Sequence, residues 1–174
     1  MTSPMQNPLF SVFFMSPRQM AIFIIFSSLV ALSGALIGQY GFDLHPCDLC
    51  IYQRIPFIIN MILGLLAYFW MSNNKLLIGL SGFVFFVNSA IALFHSGVER
   101  KWWTGLTGCS TPDMSGTVEE LLKRIQETAV VRCDEIPWSF MGLSMANYNV
   151  VFCGVLGIIC LRFAFLNWQS QSNG

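Results

Sequence analysis

Four cysteines stand at positions where their thiols could exchange disulfide bonds. Cys47 and Cys50 form a C-x-x-C motif, and Cys109 and Cys133 lie in a later polar stretch. Near a helix N-terminus, a C-x-x-C cysteine gains thiolate character from the helix dipole, which makes its sulfur a nucleophile. The second pair could close a structural disulfide instead, worth about 3 to 4 kcal/mol for a loop of this length. The four cysteines therefore predict either reactive thiols or structural disulfides.

Arg54 favours the reactive interpretation. It follows Cys50 by four positions, so both side chains share one helical face, one turn apart. A positive charge beside a cysteine lowers the pKa of its thiol, and an arginine at membrane depth costs enough free energy to suggest a function. The structural alternative is a side chain that snorkels to the headgroups.

The same cysteines also have a metal-binding interpretation. A structural zinc site takes four thiolate or imidazole ligands, which Cys47, Cys50, Cys109 and Cys133 could supply together. We favour thiol chemistry and expect no metal. Cys153 and Cys160 lie in an apolar stretch, where we expect them to stay reduced and to pack as small hydrophobes.

The composition places these residues in a membrane protein. Of 174 residues, 55% are hydrophobic and 10% are charged, whereas about a quarter are charged in an average soluble domain. Nine basic and nine acidic residues cancel, which leaves no positive field to hold a phosphate backbone and argues against a nucleic-acid partner.

Four apolar stretches are long enough to cross a hydrocarbon core of about 30 Å as helices. They predict an all-α membrane protein, a four-helix transmembrane bundle in one domain over residues 1–174. A cleaved signal peptide would also explain the first stretch, but the apolar run continues past any such cut to Tyr40. The predicted spans cover residues 20–40, 51–71, 76–94 and 149–166.

The predicted loops over residues 41–50 and 95–148 emerge on one side of the membrane, and all nine acidic residues fall in them. Arg18 precedes the first span, whereas the first loop has no basic residue, so we expect both termini in the cytoplasm and both loops outside it. Within the long loop, Thr117 and Glu120 are spaced as a capping box for a short amphipathic helix over residues 115–125. Its apolar face could lie on the membrane surface or pack on the loop.

A longer motif surrounds the first cysteine pair. Residues 46–54 read Pro-Cys-Asp-Leu-Cys-Ile-Tyr-Gln-Arg, and they are followed by an apolar span, a hairpin and a second cysteine pair in the next outer loop. This arrangement closely resembles the DsbB family, the disulfide bond formation proteins B of bacterial inner membranes. The C-x-x-C motif alone is weak support, whereas its combination with Arg54, four spans and the pair Cys109 and Cys133 is specific.

The resemblance implies a two-step relay. A DsbA-like periplasmic thiol oxidase, arriving reduced, would attack a Cys109–Cys133 disulfide at Cys109, and the electrons would then pass to Cys47 and Cys50. By the same analogy, Cys50 would contact ubiquinone or menaquinone as electron acceptor. Arg54 would stabilise the negative charge that develops on the quinone oxygen as the quinone is reduced. His95, at the outer end of the third span, would lie near the quinone head, although a capping or interfacial role would suit it equally.

Two other classes of protein remain as alternatives. In a four-span scaffold with merely structural disulfides, Cys47 and Cys50 would tolerate serine without loss of activity. A soft-metal binder that uses the C-x-x-C motif would be purified with stoichiometric metal. A thiol oxidoreductase predicts neither result.

Overall fold

The computed structural model describes residues 16–70, 74–105, 117–119 and 131–172. Four long helices dominate these residues, and each is long and apolar enough to cross a membrane. They run as α1 (Pro17–Gly41), α2 (Asp48–Phe69), α3 (Asn74–Glu99) and α4 (Met145–Ser172). The predicted all-α four-helix membrane bundle is therefore confirmed.

Each helix packs against the next along the chain, so the bundle runs up and down with a buried centre. Phe57, Phe85 and Phe163 are among the side chains that fill this centre. Large apolar residues such as Phe26 and Phe83 stay exposed on the outside, where lipid would cover them.

Local sequence signals explain where the first two helices begin. Ser16 and Gln19 form a reciprocal capping box, and Pro17 occupies the first turn of α1, where its missing N–H costs nothing. In α2, Cys47 is the extended N-cap residue, and its carbonyl accepts the first helical hydrogen bond from the Ile51 N–H. The cysteine pair is therefore built into the first turn of a membrane helix.

The helices extend further at the end of the bundle that carries residues 42–47 and 100–144, which we call the loop end. There α3 continues to Glu99 and α4 begins at Met145, beyond the predicted limits at residues 94 and 149. The added turns contain polar residues that satisfy one another, as when Ser96 Oγ donates to Asn147 Oδ1 at 2.7 Å. Hydropathy alone does not register such pairs, which explains the shorter prediction.

A small hairpin, not anticipated from the sequence, precedes α4. Strands β1 (Ser139–Phe140) and β2 (Leu143–Ser144) pair antiparallel. Between them, Met141 and Gly142 have φ values of 50° and 76°, the positive pair that a tight hairpin turn requires. The predicted amphipathic helix over residues 115–125 lies mostly outside the described residues.

Candidate functional site

Cys47 and Cys50 meet at the start of α2. Cys47 is the N-cap residue and Cys50 lies three positions later, which is the spacing at which an N-cap side chain meets its partner in a capping box. The Cys47 thiol donates to Cys50 Sγ over 3.2 Å. A thiolate at Cys50 would be stabilised by this hydrogen bond.

Cys47 is the cysteine of this pair whose thiol pKa is raised. Its hydrogen bond to Cys50 and its burial raise the pKa of Cys47 to about 12, while the contact with His95 acts in the opposite direction. A thiol that donates to a neighbouring sulfur loses that bond when it ionises, so it keeps its proton. Cys47 is therefore the protonated member of the reduced pair.

His95 lies against this pair from the last turns of α3. Its Nε2 atom is 3.5 Å from Cys47 Sγ, and its Nδ1 atom is 2.9 Å from Gln53 Nε2. The ring is buried, with 4% of its surface exposed. The structure thus places His95 beside the thiols, whereas a capping or headgroup role would leave it at the surface.

Glu99 lies one helical turn beyond His95 and contacts its ring. The sequence predicts Glu99 in the long loop, but it lies buried at the end of α3. Its Oε1 atom is 3.8 Å from His95 Nε2, and its Oε2 atom accepts a short hydrogen bond from Ser144 Oγ. Within the described part of the chain, no lysine or arginine forms an ion pair with Glu99.

Cys133, in the long loop, lies beside the same cysteine pair. It is fully buried in an apolar cluster with Cys47, Leu49 and Val98, against which Cys50 also packs. On either side of it, Arg132 holds the Asp134 carboxylate through two hydrogen bonds of 3.0 and 2.7 Å. Three of the four candidate redox cysteines therefore share one buried cluster. Cys109 lies outside the described residues.

A cavity of about 640 Å³ opens beside the cysteines. This volume falls within the usual range for small-molecule sites. All four helices and the chain around Cys133 contribute to its mostly apolar walls, α3 only through its last turns. The polar or reactive side chains that line it include Cys47, Cys50, Gln53, Arg54, His95 and Glu99.

Arg54 lies on the cavity wall, one turn beyond Cys50, as its spacing predicts. Its Nη1 atom donates to Gln39 Oε1 of α1 at 2.8 Å. A guanidinium has five N–H donors, so the bond to Gln39 leaves others for a ligand in the cavity. Snorkelling alone would not direct this side chain to a neighbouring helix.

A metal could in principle be held by Cys47, Cys50 and His95, whose ligand atoms lie within 4.8 Å of one another. The contacts of His95 argue against it, because Gln53 presents an N–H to Nδ1 and the ring hydrogen then occupies Nε2, the nitrogen that faces the sulfurs. We therefore assign no metal to these residues.

Sequence reasoning missed several polar residues of the site, among them Gln39, Gln53, Glu99, Ser144 and Asn149. A usable signal was present for two of them. Gln53 is a polar residue inside an apolar span, and Glu99 follows His95 by four positions on one helical face. Gln39 on α1, Ser144 in β2 and Asn149 on α4 reach the site through tertiary packing, which a single sequence does not show.

The fold and the site together define a class of protein. It is a multi-pass membrane protein with a C-x-x-C cysteine pair at the start of a span and beside a cavity among the helices, as suits a membrane-bound disulfide oxidoreductase. The chain belongs to the DsbB family, because the family model described as disulfide bond formation protein DsbB matches residues 17–163.

Similar proteins agree with this assignment. A disulfide bond formation protein B from Xylella fastidiosa is 30% identical over 77% of this chain and 82% of its own length. Another, from Histophilus somni, is 30% identical over 84% of this chain and 86% of its own length. An uncharacterized protein from Rickettsia prowazekii is 26% identical over 74% of this chain and 76% of its own length.

Proposed function

We propose that the chain reoxidises a DsbA-like periplasmic thiol oxidase by passing two electrons through two cysteine pairs to a membrane quinone. The observation that carries this proposal is the burial of Cys133 with Cys47 and Cys50 in one apolar cluster beside the cavity. A disulfide that only stabilised the long loop would not require Cys133 to be buried beside Cys47 and Cys50. The activity sustains disulfide bond formation in proteins outside the cytoplasm.

The first exchange takes place in the long loop. A thiolate of the reduced partner attacks Cys109 of a Cys109–Cys133 disulfide, and Cys133 leaves as a thiolate. The second partner thiol then releases the oxidised partner, so the loop pair has gained two electrons and two protons. Cys133 is the loop cysteine that packs beside the next pair.

The second exchange takes place at the start of α2. The Cys133 thiolate attacks the Cys47–Cys50 disulfide, and Cys109 then displaces the new bond, which restores the loop disulfide and leaves Cys47 and Cys50 as thiols. The Cys47 thiol donates to Cys50 Sγ, so Cys50 is the sulfur whose negative charge is stabilised. Cys50 is therefore the electron donor of the pair.

The cavity fits ubiquinone or menaquinone as the acceptor. Its apolar walls suit a ring with a hydrocarbon tail, and Arg54 on the cavity wall would offer N–H donors to a quinone carbonyl oxygen. When bound, a quinone supplies an acceptor for two electrons and two protons. The role of Arg54 is to bind and orient the ring, and the role of His95 is to hold the sulfur of Cys47.

The proposed location is the bacterial inner membrane, with both termini in the cytoplasm and the two cysteine-bearing loops in the periplasm. Both loops emerge from the loop end of the bundle, because α1 to α4 alternate in direction. A membrane-impermeant thiol reagent, applied to sealed spheroplasts after reduction of their disulfides, should therefore reach Cys109. Labelling of Cys109 only after permeabilisation would contradict this orientation.

Purified protein, a reduced DsbA-like partner and a short-chain quinone test the function. Wild type should consume quinone, followed by its absorbance, whereas Cys50→Ser and Cys109→Ser should not. Cys160→Ser is the matched control, since Cys160 is buried in the bundle centre away from the cavity, and it should retain activity. If wild type consumes no quinone, or if all three variants match it, the proposal is wrong.

A further inference from the structure

His95 is almost fully buried and is contacted at both ring nitrogens. Gln53 Nε2 lies 2.9 Å from Nδ1. On the opposite side, Nε2 lies 3.5 Å from Cys47 Sγ and 3.8 Å from Glu99 Oε1. The side chains of His95 and Glu99 are 5% and 4% exposed, so the protein alone decides which nitrogen carries the hydrogen.

The orientation of the Gln53 amide is fixed by two other contacts. Its Nε2 atom donates to the Leu49 carbonyl at 3.1 Å, and its Oε1 atom accepts from Asn149 Nδ2 at 2.7 Å. A carbonyl oxygen can only accept, so a reversed amide would place two acceptors against each other. Asn149 is oriented in turn, because the Cys153 thiol donates to its Oδ1 atom at 3.2 Å.

The orientation of Gln53 determines the tautomer of His95. An amide N–H faces Nδ1, so Nδ1 must accept, and in the neutral ring the hydrogen is then on Nε2. This hydrogen is directed at Cys47 Sγ and Glu99 Oε1. Cys47 can accept it, since its own S–H is directed at Cys50.

Glu99 is fixed as an acceptor by the same reasoning. Ser144 Oγ accepts from the backbone N–H of Asn147 at 3.3 Å and from its Nδ2 atom at 2.9 Å. The one hydroxyl hydrogen of Ser144 must therefore go to Glu99 Oε2. The other carboxylate oxygen, Oε1, faces the Nε2–H of His95 and favours a hydrogen at that position.

We propose that Gln53 and Glu99 are positioning residues that hold His95 as the neutral tautomer with its hydrogen on Nε2. His95 is then a fixed hydrogen-bond donor to the sulfur of Cys47, and it cannot act as the base that removes the Cys47 proton. The use of this donor in catalysis rests on the proposed function, whereas the tautomer does not.

The donor acts when the cysteine pair is oxidised. Cys47 gives up its proton and its sulfur bonds to Cys50, while two electrons and two protons in all pass to the quinone. Between loss of the proton and formation of the S–S bond, the negative charge on Cys47 is stabilised by the Nε2–H. Hydrogen bonds to charged groups are about twice as strong as neutral ones.

Histidine ¹⁵N NMR on the purified, quinone-free protein tests the tautomer directly. The chain has only two histidines, so His45→Gln assigns the signals. In wild type the hydrogen should be on Nε2. Gln53→Glu should move it to Nδ1, because a carboxylate can only accept. Gln39→Glu adds the same charge beside Arg54 without touching His95, and it should leave Nε2–H in place. A hydrogen on Nδ1 in wild type, or no change in Gln53→Glu, would overturn the proposal.

Glu99→Gln tests the other contact. Ser144 still needs an acceptor, so the new amide must turn its N–H groups toward the Nε2–H of His95. The Nε2–H tautomer should then lose its dominance, and a second set of ring signals should appear. An unchanged spectrum would remove Glu99 from the proposal.

A second measurement tests whether His95 acts on the Cys47 thiol as a hydrogen-bond donor or as a base. The reduced protein is alkylated at fixed pH without quinone or partner, and labelled Cys47 is quantified by tandem mass spectrometry. His95→Gln retains an N–H donor and has no basic nitrogen, so the rate should stay within about threefold of wild type. His95→Leu removes the donor and should slow alkylation about tenfold. Equal slowing in both variants, or none in either, would contradict the donor role, whatever the fate of the proposed function.

Discussion

Arg54 and Gln39 join the first two helices across the cavity. Nη1 of Arg54 donates to Oε1 of Gln39 at 2.8 Å, and both side chains line the cavity wall. This bond holds the guanidinium one turn beyond Cys50, where its charge can face a ligand. Gln39 thus positions Arg54, while Arg54 would contact the acceptor.

Replacing Arg54 should affect the acceptor more than the partner. For Arg54→Ala we expect the apparent KM for quinone to rise about tenfold, the loss of one charge-assisted hydrogen bond. Oxidation of the reduced partner in a single turnover should change less than about twofold. Gln39→Ala should raise the same KM by only about two- to threefold, since the guanidinium remains. An unchanged quinone dependence in Arg54→Ala would remove Arg54 from the site.

The thiol of Cys47 should ionise more readily once its acceptor is gone. The hydrogen bond to Cys50 is the largest cause that raises the pKa of Cys47 to about 12. In reduced Cys50→Ala, the pKa of Cys47 should fall, and a lower pKa means more thiolate at pH 8. We expect alkylation of Cys47 at pH 8 to be at least tenfold faster than in wild type, as a fall of about one in pKa would give. Slower or equal alkylation would show that burial alone controls this thiol.

The indole of Trp103 lies on Gly97 near the loop end of α3. It stacks on Phe94 with ring centroids 5.8 Å apart, and its Nε1–H donates to the Phe94 carbonyl at 3.0 Å. A Cβ atom on Gly97 would lie 2.0 Å from the indole, so Gly97→Ala must displace it. We expect a loss of roughly 2 to 3 kcal/mol, read as a lower Tm in detergent.

A double-mutant cycle tests that explanation. If displacement of the indole is the cause, Gly97→Ala should cost much less in a Trp103→Ala background, because the two substitutions remove one shared contact. Fully additive losses would place the effect of Gly97 elsewhere.

Helices α3 and α4 approach closely at Gly157. A Cβ atom there would lie 2.8 Å from the Phe86 ring and 3.2 Å from the Gly82 carbonyl, an approach that only small residues permit between membrane helices. Gly157→Ala should therefore cost roughly 1 to 3 kcal/mol of stability. Gly154→Ala on the same helix is the matched control: its nearest neighbour would be Ser89 Oγ at 3.5 Å, so its Tm should not fall. Equal effects would contradict the packing account.

The four-helix bundle could be predicted from the sequence because each membrane helix is a long, continuous apolar stretch. Each apolar stretch must satisfy its own backbone in lipid, and the four stretches became α1 to α4. The cysteine motif and the spacing of Arg54 also led directly to the cavity wall. Both are local sequence signals, so they can be recognised without knowing how the helices pack.

The polar network around His95 could not be predicted in the same way. Gln53, Glu99 and Asn149 come from three different helices, and only packing decides which of their atoms meet. The raised pKa of Cys47 also depends on atomic geometry, since the hydrogen bond to Cys50 and burial are its largest causes.

Direct exchange between Cys133 and the first cysteine pair is the central step of the proposed relay, and a trapping experiment measures it. In a Cys50→Ser, Cys109→Ser double variant, Cys47 and Cys133 remain as neighbours in the buried cluster. Mild oxidation in membranes, followed by non-reducing peptide mapping, should reveal a Cys47–Cys133 disulfide in most of the protein, with Cys153 and Cys160 unlinked. Free Cys47 and Cys133 thiols after this oxidation would contradict the account.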